Sequence, residues 1–139
     1  MTKFNFSNVQ ISMSANCKGS VYNVWGDKMT HYKFIVTIRT ANGKGTFSFY
    51  DSFANYQKGI TELDADELQN ALDCYLSDAM AYENTQSFDE FCNEFGYDPY
   101  EDTQRAKKAF NGCKRQYTNA IRLFGDVDTI CNVLNAMHE

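Results

Sequence analysis

Proline occurs once and histidine twice in these 139 residues, and no lysine or arginine interrupts residues 62 to 102. The two histidines, His31 and His138, have no partner at metal-ligand or catalytic-triad spacing. Five cysteines, at 17, 74, 92, 113 and 131, are odd in number and too far apart for a Cys-x-x-Cys clip or a zinc site. Neither glycine-rich phosphate-loop pattern is present, and Gly43-Lys44-Gly45 reads as part of a hairpin. The acids between 89 and 102 miss the calcium-loop template, because their spacing places them on a helix. The carboxylate pairs Asp64/Asp66 and Glu101/Asp102 have nothing converging on them. The expectation is therefore a non-enzyme with no catalytic residue, no metal and no cofactor.

Long apolar runs are missing too. None approaches the ~18 residues that span a bilayer, and no basic-then-apolar leader opens the chain. A cytoplasmic protein with free thiols, away from the membrane, is the expectation.

What is present suits a single domain over residues 1–139. Aromatics reach 15% and hydrophobic residues 43%, enough to build a core. The first 61 residues read as strands. Val9, Ile11 and Met13 alternate with polar neighbours, and Tyr32, Phe34, Val36 and Ile38 do so within "HYKFIVTIRT". Asn42-Gly43 then signals a tight hairpin, and Phe47 and Phe49 mark the returning strand. Residues 17 to 30 read as a long connection, with "VYNVW" as a possible further strand.

Later the period becomes helical. Asp64 suits a cap, and Leu68, Ala71, Leu72, Tyr75, Leu76, Ala79 and Met80 form one face. "SFDEFCNEFGYDP" reads as a complete short helix. Ser87 and Glu90 make a capping box; Phe88, Phe91, Cys92 and Phe95 form a core stripe; Gly96 and Asp98-Pro99 stop it. A helix over about 101 to 124 and a last one capped by Asp126 or Asp128 follow, with Cys113 and Cys131 on their apolar stripes. The fold class is α+β: an antiparallel sheet of three or more strands packed against three to four C-terminal helices.

Charge is the strongest remaining signal. Residues 1 to 61 hold seven basic and two acidic side chains, 62 to 102 thirteen acidic and none basic, and 103 to 139 six basic and three acidic. No i,i+4 lysine compensates the acidic helices, so self-repulsion there calls for an offset. Part of it comes from acids near helix N-termini and from basic final helices. The other reading is a carboxylate surface that occupies a groove built for nucleic-acid phosphates on a basic host protein. Its contact set is Asp64, Asp66, Glu67, Asp73, Asp78, Asp89, Glu90 and Glu94.

"SFDEFCNEFGYD", with the upstream "FSFYDSFANYQKGITELDADELQNALDCYLSDAMAY" and the downstream "QRAKKAFNGCKRQYTNAIRLFG", resembles a group of small bacteriophage and prophage proteins. They share a Phe-x-x-Phe/Trp-Cys-x-x-Phe-Gly-Tyr core. The resemblance covers about residues 30 to 125, departs at Pro99-Tyr100-Glu101 and in the C-terminal helix from Asp126 onward, and brings no residue roles with it. It implies a phage accessory protein in the cytoplasm of a bacterial host. The expected function is an anti-defence inhibitor, resembling CRISPR inhibitors, that binds a nucleic-acid-binding host protein. Two alternatives stand beside it: a nucleic-acid-binding module using Lys33, Arg39, Lys44 and Tyr50 on the basic sheet, and an assembly or regulatory protein that forms a homo-oligomer.

Overall fold

A computed structural model describes residues 1–22, 28–51 and 63–138. Among the described residues four strands precede four helices, an α+β arrangement. Strands β1 (Thr2–Phe6), β2 (Val9–Tyr22), β3 (Lys28–Thr40) and β4 (Gly43–Asp51) form one sheet in that order, each antiparallel to its neighbour. Ser7 and Asn8 join β1 to β2 with φ of 50° and 66°. Two consecutive left-handed residues give the turn a twist that matches the flanking strands.

Two expectations shift by a few residues. Thr40 pairs with Gly43, so the β3–β4 turn is Ala41-Asn42; Gly43 opens β4 at φ 141°. The Asn42 amide donates to Thr40 Oγ1 at 3.2 Å, anchoring the turn from inside. Residues 17 to 30 are also not one long connection. The chain from Cys17 to Tyr22 pairs with that from Lys28 to Phe34 across register shifts at Cys17/Gly19 and Ser20/Tyr22, with Gly19 at φ 114°. A bulge interrupts the period-2 alternation, which is why this strand pair is not legible as one. Residues 23 to 25 of "VYNVW" lie outside the described residues.

The chain divides into two compact units, Met1–Leu72 and Asp73–Glu139. In the first, alternate strand residues make a dry face: Ile11, Met13 and Ala15 on β2, Phe34, Val36 and Ile38 on β3, Phe47 and Phe49 on β4. Leu63, Leu68, Ala71 and Leu72 are buried in the same unit, and Leu63 and Leu68 line one pocket with Met13 and Ala15. Each fully buried Leu, Ile or Phe contributes about 1.5–3 kcal/mol relative to exposure.

Helix α1 (Ala65–Thr85) starts where expected. Asp64 Oδ1 accepts from the Glu67 amide at 2.8 Å, and the striped residues from Leu68 to Ala79 are buried. Helix α2 (Phe88–Phe95) has Ser87 as N-cap, its hydroxyl accepting from the Glu90 amide at 3.2 Å. Gly96 closes it at φ 75°, and the Tyr97 amide reaches back to the Cys92 carbonyl at 2.9 Å. This bond, made possible by the left-handed glycine, occupies a carbonyl the helix end would leave open. Helix α3 (Thr103–Phe124) begins two residues later than expected, after Asp98 folds back to accept from the Tyr100 and Glu101 amides. Helix α4 (Val127–Met137) completes the second unit and buries Ile130 and Val133. Cys92 is fully buried as expected, whereas Cys113 and Cys131 are only half-buried.

Asp126, and not Asp128, caps α4. The Thr129 hydroxyl and amide both donate to its Oδ1 at 2.7 Å and hold the carboxyl below its ordinary pKa. A carboxyl with a lower pKa folded than unfolded adds stability above the unfolded pKa and loses it as pH falls through the folded one. Asp126→Ala should lower the thermal midpoint at neutral pH, with the difference from wild type closing below about pH 4. A calorimetric pH series that shows a constant difference would contradict this role.

Candidate partner-binding surface

The eight acids expected to contact a partner fall in both units. Asp64, Asp66 and Glu67 open α1 in the first unit; Asp73, Asp78, Asp89, Glu90 and Glu94 belong to the second. They also differ in what already engages them. Asp64 is committed to the Glu67 amide, and Glu67 itself is half-buried. Asp73 is half-buried, accepts from the Ser77 hydroxyl at 3.4 Å and pairs with His138 Nε2 at 2.9 Å. The pairing gives a role to a histidine that the sequence shows only as a terminal residue. Outside the eight, Asp102 pairs with Arg105 at 3.4 Å.

Asp89, Glu90 and Glu94 form the coherent part. Helical spacing sets them with Asn93 on the arc of α2 opposite Phe91 and Cys92, and all three are exposed. None has an ion-pair partner among the described residues. Helix energetics account for two of the three. Asp89 and Glu90 lie in the first turn, where the macrodipole favours negative charge. Glu94 lies in the last turn, where the dipole opposes it, and stands i+4 from Glu90, a like-charge spacing that costs a few tenths of a kcal/mol. Nothing in the stability of α2 asks for Glu94. Glu90 remains available as well, because the cap uses its amide.

The second unit also carries an aromatic network. Phe91 sits among Phe95 at 4.8 Å, Phe110 at 5.3 Å and Tyr97 at 6.1 Å between centroids; Phe110 continues to Tyr82 at 5.6 Å, and Tyr82 to Tyr117 at 5.1 Å. The Arg105 guanidinium lies 5.3 Å over the Tyr97 ring, a cation–π contact. Phe91 is buried, but Phe95 is 49% exposed, which corrects its assignment to the core. It is the last residue of α2, so the helix ends before a further turn covers its ring.

Phe91, Phe95 and Tyr97 line a groove of about 440 Å³ together with Ala81, Ala109, Cys113 and Asp78. Asp78 is exposed to solvent along one side, yet desolvation by the surrounding protein raises its carboxyl pKa. Burial, then Asp78, raises the Cys113 thiol; burial, then Asp73 and Asp78, raises Cys74. Raised thiols are the opposite of the lowered pKa that activates a cysteine nucleophile. The groove therefore offers apolar contact and negative potential.

No group of three or more His, Cys, Asp or Glu is placed to hold a metal ion among the described residues, and no helix among them is long and apolar enough to cross a membrane. Comparison with protein-family models, with curated proteins and with solved structures finds no match to this chain.

Proposed function

We propose that this chain is a non-catalytic, phage-encoded binding protein, an anti-defence inhibitor that presents the carboxylates of α2 to a basic, nucleic-acid-binding site on a host protein. The observation that supports this reading is Glu94, with Glu90 and Asp89 beside it: an exposed acidic arc that runs against the helix dipole at its C-terminal end and meets no cation among the described residues. Isolated positions that break a local rule without a structural gain are where binding function is found. A cationic groove on a partner supplies the missing offset, and fixed carboxylates answer to a site built for phosphates because such a site selects mainly by charge and spacing.

The test is capture from bacterial lysate on immobilised protein, followed by displacement of labelled oligonucleotide from the captured host protein. Wild type should retain nucleic-acid-binding proteins at low salt and release them as salt rises from about 50 to 200 mM, as counterion-linked contacts do. Asp89→Lys/Glu90→Lys/Glu94→Lys should retain at least about tenfold less, since several like charges would then face the groove. Capture that survives both this variant and high salt removes the reading.

A further inference from the structure

The outer face of the sheet in the first unit carries a charge arrangement that strand pairing does not explain. The register sets Lys3 opposite Ser12, Ser12 opposite Arg39, and Arg39 opposite Lys44. One row thus crosses all four strands with three cationic residues, each exposed. Like charges directly opposite in an antiparallel pair are destabilising, and Arg39 and Lys44 are such a pair. The alternation that buries Ile11, Phe34, Val36 and Phe47 leaves Ser, Thr, Asn, Gln, Lys and Arg on the other face with Ile35 and Tyr50, and no Asp or Glu among its described residues. A fourth cation, Lys33, lies opposite Tyr50, whose side chain is 51% exposed. It stands six positions along β3 from Arg39, about 20 Å at strand rise.

We propose that this face binds single-stranded nucleic acid. The row of Lys3, Arg39 and Lys44 meets backbone phosphates, Lys33 meets the same strand further along, and Tyr50 stacks an unpaired base. The Ser and Thr hydroxyls between the two cationic ends are donors to the backbone. The exposed ring favours a single strand, since only unstacked bases present a face to an aromatic side chain. Ile35, half-buried, is the one large aliphatic residue that the described strand pairing sets on this face, too little to insert into an anionic membrane. This proposal is independent of the one for α2, because its residues all lie in the other unit.

Fluorescence anisotropy with a labelled oligothymidylate of roughly 20 nucleotides tests it. Binding is expected at about 50 mM salt and should fall roughly 20- to 50-fold by about 200 mM, the response of three to four neutralised phosphates on a single strand. Arg39→Gln/Lys44→Gln should weaken binding at least about tenfold and flatten the salt response, with circular dichroism checking that the fold is kept. Tyr50→Ala should cost about tenfold with the salt response unchanged, as loss of a stacked base does. The proposal is overturned by any of four results: no oligonucleotide binding at low salt, unchanged binding by the Arg39/Lys44 variant, equal or tighter binding of the duplex of the same length, or binding to phosphatidylserine vesicles without binding to the oligonucleotide.

Discussion

Phe34→Ala should cost about 3–5 kcal/mol, a large part of the 5–15 kcal/mol that holds a domain of this kind together. Phe34 is 0% exposed on the central strand β3, opposite Cys17 on β2 and Phe49 on β4. Removing its ring takes away the transfer free energy of the lost atoms and leaves a cavity that a hydrogen-bonded sheet closes only in part. Urea unfolding followed by circular dichroism reads the change as a fall in midpoint. A loss under about 1 kcal/mol would show that the buried face of the sheet is not packed around this residue.

The second large effect lies in α2 and separates two residues that look alike. Phe91→Ala should cost about 3–5 kcal/mol, while Phe95→Ala should stay within about 1 kcal/mol. Both rings belong to the same helical stripe, but Phe91 is 3% exposed and lies at the centre of the aromatic network, and Phe95 is 49% exposed at its margin. An eight-residue helix does not persist on propensity alone, so α2 depends on the packing of Phe91 and Cys92. Parallel thermal melts of the two variants decide the matter. Equal losses would mean that Phe95 belongs to the core after all, and would remove the apolar wall from the groove beside Asp78.

That pair of phenylalanines shows where reading by periodicity reaches its limit. Spacing assigns residues to a face and says nothing about whether the far end of the face is covered. The capping signals are different in kind, since Asp64, Ser87, Gly96 and Asp126 act on backbone groups within five residues of themselves. Each of these local bonds forms where the sequence places it. The acidic character of residues 62 to 102 was equally plain, but its meaning was not. Asp64 and Asp73 are taken up by an amide and by His138, and Asp89, Glu90 and Glu94 are left facing solvent.

By itself the chain of side chains determined the α+β class, the buried alternation of the strands, the helix stripes and their stops, because these follow from period, caps and turn chemistry over a few residues. Only the folded structure decided that Lys3, Ser12, Arg39 and Lys44 share one row, that a bulge carries β2 on to Tyr22, that His138 meets Asp73, and that Phe95 faces water. The physical reason is the same each time. These features depend on which distant segments become neighbours, and a one-residue change in strand register would turn every side chain of the sheet to the opposite face.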